Sequence, residues 1–236
     1  MMQNNYTYSK ILLDFCITEH IPFIYASSAA VYGKGNIFKE SPQYERPINV
    51  YGYSKFQFDQ YVRHILNQRK TAKNHAEPSQ IVGLRYFNVY GINENHKLNM
   101  ASPVHNFFYQ LIDKNFCKIF DSYDGYPAGG HKRDFVSVDD CVKINSWLLK
   151  KKNLKKNILN VGSGSSVTFK DIALKLINEL KFGKVKIIKF PNKLKKGYQS
   201  FTKSNLDELR KIGYDKKLIS ISEGIKQFVR DKNQSF

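Results

Sequence analysis

The sequence predicts an α/β fold built on a mostly parallel sheet. Two observations carry this reading. Short apolar runs rich in β-formers alternate with longer stretches of helical periodicity, and helix starts are written as hydroxyl-x-x-carboxylate boxes. IPFIYASS (21–28) reads as a buried strand opening after Pro22. A loop of Gly, Pro and charge follows over 33–48. NVYGYSKFQFDQYVRHIL (49–66) sets Tyr51, Lys55, Phe58, Val62 and Ile65 at alternating spacings of four and three, one stripe of a helix. NQRKTAKNHAEPSQ (67–80) reads as a charged, exposed connection, QIVGLRYFNVYG (80–91) as the next strand, and 103–113 as a helix.

Further on, Ser137-x-x-Asp140, Thr168-x-x-Asp171, Ser204-x-x-Asp207 and Ser220-x-x-Glu223 all have capping-box form. Gly213 stands where a helix C-cap glycine belongs. RDFVSV (133–138), NILNVG (157–162) and VKIIKF (185–190) read as strands. No internal repeat interrupts the pattern.

Composition narrows the function classes. Cys16, Cys117 and Cys141 are far apart and form no Cys-x-x-Cys pair. That argues against a disulfide framework or zinc site and for a reducing compartment. The six histidines show no metal-ligand spacing, so no metal is expected. MMQNNYTYSK is too polar for a signal peptide, and no apolar stretch reaches membrane-spanning length, so a cytoplasmic protein with no membrane partner is expected. The net charge of +18 invites a nucleic-acid reading. The lysines are dispersed among Asn, Ile, Tyr and Phe, however, as biased base composition would scatter them, and no reader motif accompanies them. The densest run, KKKNLKKN (150–157), reads as a helix end and solvated turn. No nucleic-acid partner is expected.

Tyr-x-x-x-Lys occurs twice, in YTYSK (6–10) and YGYSK (51–55). The spacing places phenol and ammonium one helical turn apart. Only the second copy follows a strand ending in serines, Ser27-Ser28, and the carboxyl ends of parallel strands are where α/β sheets place ligands. A phenol titrates near ~10 in water, and a neighbouring ammonium favours its phenolate. A serine hydroxyl can hold the reacting oxygen. Spacing alone favours the plainer reading, a packing pair along an amphipathic helix. GSGSS (162–166) lacks the third glycine of a dinucleotide fingerprint, since Val167 stands there, and reads as a strand-to-helix turn. Arg133 follows the glycine-rich stretch YDGYPAGGHK and has the fork geometry to clamp a diphosphate, or to pair with neighbours of Asp134. Lys97, in HK, reads from sequence as a solvated side chain.

SSAAVYG, NVYGYSKFQFDQYVR, GLRYFNVYG, HKLNMAS, KRDFVSVDD and PNKLKKGYQSFT together closely resemble the ADP-L-glycero-D-manno-heptose 6-epimerases. These are extended short-chain dehydrogenase/reductases of lipopolysaccharide inner-core synthesis. The resemblance implies a Rossmann-type, NADP-binding domain over 1–91 and 133–162, and a smaller, mainly C-terminal substrate-binding lobe over 92–132 and 163–236. It implies an ADP-heptose substrate oxidised transiently at C6, and a homo-oligomer in the complete family enzyme. Tyr51 and Lys97 match the two acid/bases, with Ser28 orienting the sugar oxygen. Asn4, Lys55, Val89 and Lys97 match cofactor contacts. Ser28, Asn88, Asn99, Phe120, Arg133 and Tyr198 match substrate contacts. At 99 and 106 the chain carries asparagines where the family pattern has serine and histidine. Kindred readings are another NAD(P)-dependent sugar-nucleotide epimerase or dehydratase, or a non-catalytic remnant that binds a sugar nucleotide or a partner chain.

The family's opening βαβ unit, with its G-x-x-G-x-x-G cradle, has no counterpart ahead of MMQNNYTYSK, so the expected Rossmann-type sheet is incomplete. Two outcomes are expected. Calorimetry on this chain alone should detect no NADP binding, since Lys55 and Asn4 reach only part of a dinucleotide; micromolar binding by a soluble monomer would refute this. Retention on duplex DNA should be weak and vanish near physiological salt, whereas tight binding persisting there would revive the nucleic-acid reading.

Overall fold

Parallel pairing dominates, as expected of strands joined through helices. The computed structural model describes residues 1–71, 80–151, 154 and 157–234. Its strands are β1 (Phe23–Ser28), β2 (Ile81–Tyr86), β3 (Asn88–Tyr90), β4 (Phe116–Phe120), β5 (Lys132–Ser137), β6 (Ile158–Val161), β7 (Ser166–Thr168) and β8 (Lys184–Ile188). Its α-helices are α1 (Tyr8–Thr18), α2 (Val50–Thr71), α3 (Pro103–Lys114), α4 (Val138–Leu149), α5 (Phe169–Leu180), α6 (Asn192–Lys195), α7 (Asp207–Lys211) and α8 (Ile221–Asn233). The chain divides into two compact units, one of residues 1–86, 144–161 and 205–215, the other of 87–143, 162–204 and 216–236. The sequence-level division instead ran its first part to 91 and rejoined it over 133–162.

In the first unit β2 lies between β1 and β6, all parallel, with Tyr25 opposite Gly83 and Gly83 opposite Ile158. Leu13, Tyr25, Phe58, Val62 and Ile81 form its apolar core, so the predicted stripe of α2 does face inward at Phe58 and Val62. The largest fully buried side chain is charged. Arg85 donates from Nε and Nη2 to Asp59 Oδ2 (3.0 and 2.7 Å) and from Nη2 to Glu45 Oε1 (2.6 Å). Arg63 donates to both oxygens of Glu45 at 2.7 and 2.6 Å. The Tyr25 and Ser27 hydroxyls complete the shell of Asp59, each at 2.9 Å. Neither carboxylate could be buried without such donors. Loop 33–48 is tied to β6 as well: Glu40 accepts the Asn160 N–H at 2.8 Å, and Asn160 Nδ2 donates to the Phe38 carbonyl at 2.7 Å.

In the second unit β5 pairs with β3 in parallel and with β7 antiparallel, while β4 and β8 form a separate parallel pair. Tyr90, Phe108, Leu111, Phe135, Leu176 and Phe228 lie in its core. The hub here is Asp134, wholly buried. It accepts the Ser163 N–H and Oγ–H (both 2.7 Å), the Gly164 N–H (3.1 Å), and the Ser204 N–H and Oγ–H (2.8 and 2.6 Å).

Several sequence expectations are corrected. The expected strand over 80–91 is two, broken at buried Phe87, with β2 in one sheet and β3 in another. Helix α2 runs through 67–71, read as connection; residues 72–79 of that stretch lie outside the described residues. GSGSS leads first into β7, and only then into α5. Ser137 does not form a capping box: its Oγ accepts the Asp139 N–H, while Asp140 accepts the Ile219 N–H at 2.7 Å. Ser204 does not cap α7 either, because its hydroxyl is taken by Asp134. Thr168 and Ser220 do form reciprocal boxes. Gly213 closes α7 at φ +95°, with the Tyr214 N–H on the Leu209 carbonyl. Strand β4 went unread, although its Cys117 and Ile119 point inward around an exposed Lys118. Of KKKNLKKN, Lys150 and Lys151 still bond back to α4, and residues 152, 153, 155 and 156 lie outside the described residues.

Arg85→Met should cost about 3–5 kcal/mol in denaturant unfolding, since it leaves Asp59 in the interior without its cation and takes one donor from Glu45, which keeps Arg63. Burial would raise the Glu45 carboxyl, but the Arg63 hydrogen bonds and the Arg85 charge outweigh it and hold Glu45 below its usual value. Its stabilisation is therefore complete above the ordinary carboxylate range and is lost as pH falls through the depressed value. Unfolding curves across acid pH should steepen that loss in the wild type and flatten it in Glu45→Gln.

Candidate functional site

The first unit gathers one group of candidates at the carboxyl end of β1. Ser28 is extended there, and its Oγ accepts the Ala30 N–H at 3.2 Å, which leaves the hydroxyl proton free to donate. Helix α2 starts against this turn. Asn49 Oδ1 accepts the Gly52 N–H at 2.8 Å and so caps the first turn. A Cβ at Gly52 would fall 2.6 Å from the Ala30 carbonyl oxygen, so only glycine allows this approach. Tyr51 sits on that first turn and is 40% exposed. One turn on, Lys55 Nζ donates to the Ala26 carbonyl at 2.9 Å. Burial pushes the Lys55 ammonium down, and the charge of Asp59 opposes it. Tyr51, Lys55 and Asp59 stand at successive four-residue steps on one helix face. The buried Asp59 thus fixes the rotation at which Tyr51 and Lys55 are presented.

The other pentapeptide is built for packing. The Tyr6 ring meets Tyr61 edge-on (6.5 Å, 81°), and Lys10 Nζ lies 5.4 Å from the Tyr6 centroid and 4.5 Å from that of Tyr61. Asn4 is exposed in the π-helical turn Gln3–Thr7 that leads into α1, while its neighbour Asn5 donates to Ser54 Oγ at 3.1 Å. Tyr53 is exposed and accepts a hydrogen bond from Gln57.

The remaining candidates belong to the second unit. Asn88 and Val89 are half-buried on β3. Lys97 lies on the 3₁₀ segment Asn95–Met100, its ammonium 3.4 Å from Glu94 Oε2, and Asn99 on the same segment is exposed. Asn106 donates to the Ala101 carbonyl at 2.9 Å. Arg133 is 7% exposed and has no carboxylate within ion-pair distance among the described residues. Its guanidinium lies 4.9 Å from the Tyr198 centroid and 5.9 Å from that of Phe169. Burial pulls Arg133 below its usual value and lifts the Tyr198 phenol, each partly offset by the other. Tyr198 also abuts His131 and Phe190, and Phe120 packs on Phe190 at 5.0 Å. A buried cation beside aromatic faces, with no internal counter-ion, is suited to an anionic ligand.

The glycine-rich turn at 162–165 is spoken for. Its Ser163 and Gly164 N–H groups point at the Asp134 carboxylate, so the donors a phosphate would need serve an internal anion. Among the described residues no group of acidic, His or Cys side chains could hold a metal, and no helix is long and apolar enough to cross a membrane. All three cysteines are free thiols. Sequence reading missed Asp59, Arg85, Glu94 and Asp134. Only Asp59 left a signal, its register with Tyr51 and Lys55.

Comparison with known proteins places the chain in a lineage. Residues 1–162 match the NAD dependent epimerase/dehydratase family. The chain is 45% identical over 229 residues to an ADP-L-glycero-D-manno-heptose-6-epimerase of Alkalilimnicola ehrlichii, covering 97% of this chain and 69% of that protein. It is 42% identical over 250 residues to the enzyme of that name from Thiobacillus denitrificans, covering all of this chain and 73% of the relative. The crystal structure of the Helicobacter pylori ADP-L-glycero-D-manno-heptose-6-epimerase matches with a TM-score of 0.81 at 29% identity, over 98% of this chain and 66% of that one. The chain thus spans about two thirds to three quarters of the length of these relatives. It belongs to the NAD dependent epimerase/dehydratase family, with the ADP-L-glycero-D-manno-heptose-6-epimerases, which are isomerases.

Proposed function

We propose that the protein epimerises ADP-D-glycero-D-manno-heptose to ADP-L-glycero-D-manno-heptose at C6, through a transient 6-keto sugar, with NADP as the cofactor. The observation that carries the reading is the group at the end of β1: Ser28 with a free hydroxyl proton, Tyr51 on a helix start brought close by Gly52, and Lys55 one turn on. The relatives' names support the substrate. A cytoplasmic setting, a homo-oligomer and a place in lipopolysaccharide core synthesis belong to the same proposal, as do a cofactor-binding role for 1–91 with 133–162 and a substrate-binding role for 92–132 with 163–236.

The residues present fit part of a nicotinamide dinucleotide. Lys55 spends one of its three donors on Ala26 and keeps two for ribose hydroxyls, with Asn4, Val89 and Lys97 as further contacts. When bound, NADP would supply hydride acceptance and return. Tyr51 would remove the proton from the C6 hydroxyl, with the Lys55 ammonium one helical turn on, while Ser28 donates to the same oxygen. Inversion requires hydride return to the opposite face of C6, so a second acid/base must serve the other orientation; Lys97 takes that role. Arg133 would hold the diphosphate, with Tyr198 against its guanidinium and Asn88, Asn99 and Phe120 as further substrate contacts.

Epimerisation should be assayed with NADP and with the segment of a relative that lies outside the match supplied, fused or co-expressed. Tyr51→Phe and Lys97→Met should each lower turnover at least about 100-fold, the scale of a lost general acid/base. Tyr6→Phe should leave turnover nearly unchanged. Equal losses in Tyr6→Phe and Tyr51→Phe would refute the assignment.

A further inference from the structure

Glu94 is a buried carboxylate, 4% exposed, in a loop whose other residues from 95 to 100 are exposed. Its Oε1 accepts the Gly91 N–H at 3.1 Å and the Ser102 Oγ–H at 2.7 Å, and its Oε2 accepts the Ser102 N–H at 2.8 Å. One side chain therefore ties the segment leaving β3 to the residue that caps α3. Between these anchors Leu98 is held at φ +49°, outside the helical region of its neighbours. Apolar packing holds little of this stretch, because Leu98 and Met100 are 78% and 84% exposed and burial returns at Ala101. The remaining contact of Glu94 is to Lys97 Nζ, its only ion pair among the described residues. All the other donors on Glu94 are neutral. Lys97 is accordingly the one cation that balances this buried charge directly. His105 on α3 lies close enough to feel the charges of Glu94 and Lys97, and of Lys232 on α8.

We propose that Glu94 is a positioning residue: it fixes the 91–102 loop at both ends and holds the Lys97 side chain in one place. The role rests on the part assigned to Lys97 in the proposed reaction. The ion pair keeps the Lys97 amine at the Glu94 end of the loop, where it is placed for its part in the reaction. Removal of the charge, with the loop left intact, should release the amine.

The test is trace acetylation of the 236-residue chain with acetic anhydride near neutral pH, read by mass spectrometry of the Lys97 peptide against other lysines as internal standards. In Glu94→Gln, Lys97 should acetylate about two- to fivefold faster, because its amine is released from a half-exposed ion pair of that strength. Ser102→Ala removes one neutral donor from the same carboxylate and keeps the charge, and should label Lys97 at nearly the wild-type rate. If Glu94→Gln does not fold, Glu94→Asp takes its place with the same expected direction, since its shorter side chain cannot span from Ser102 to Lys97. Wild-type labelling in the Glu94 variant, or equal acceleration in Ser102→Ala, overturns the proposal. In the supplemented epimerase assay, Glu94→Gln should lower kcat while changing KM less than about twofold; a rise in KM alone would also overturn it. Labelling that behaves as expected, with turnover that survives Lys97→Met, would instead refute the catalytic role of Lys97 and leave the Glu94 clamp standing.

Discussion

Everything presented by α2 depends on one buried charge cluster. Arg85 on β2 reaches Asp59 on α2 and Glu45 on the 33–48 loop, with Arg63 closing on Glu45. Each carboxylate is out of water and is tolerated only because its lone pairs are filled. An apolar contact can slide by a fraction of an ångström at little cost. A guanidinium shared between two buried carboxylates cannot, because lost geometry leaves a charge unpaired. Asp59 therefore sets the rotation of α2, which aims Lys55 at the Ala26 carbonyl and places Tyr51 on the turn beside β1.

The second unit uses the same device twice. Asp134 collects five donors from the 163–164 turn and from Ser204, and Glu94 collects three from Gly91 and Ser102. In both cases a buried carboxylate replaces regular secondary structure as the organiser of a loop. Arg133 is the inverse case, a buried cation with no carboxylate within ion-pair distance among the described residues.

Much of the fold was legible because it is local. The runs around β1, β5 and β6 are apolar enough to be strands wherever they sit, and the Thr168 and Ser220 boxes need only residues three apart. Ser137 and Ser204 carry the same signature and fail, because Asp140 and Ser204 are claimed by Ile219 and Asp134, far away in sequence. Local pattern competes with distant donors and acceptors, and the sequence alone does not show the competitors. The break at Phe87 escaped notice for a related reason: 80–91 is uniformly strand-like, and which sheet each half joins is settled by pairing with β1 and β6 or with β5.

The candidate site divides the same way. Sequence by itself determined which residue types stand together: a serine at a strand end, Tyr51 and Lys55 one turn apart, HK in a loop, and motifs close enough to place the chain in its family. It could not choose between YTYSK and YGYSK on spacing, since both put a phenol and an ammonium on one helical face. Tertiary structure decided what each copy packs against. Tyr6 and Lys10 meet the ring of Tyr61, whereas Tyr51 and Lys55 are set at the end of β1 by Gly52 and Asp59. Periodicity fixes the direction of a side chain relative to its own helix. Only burial and pairing with other segments fix what that side chain meets.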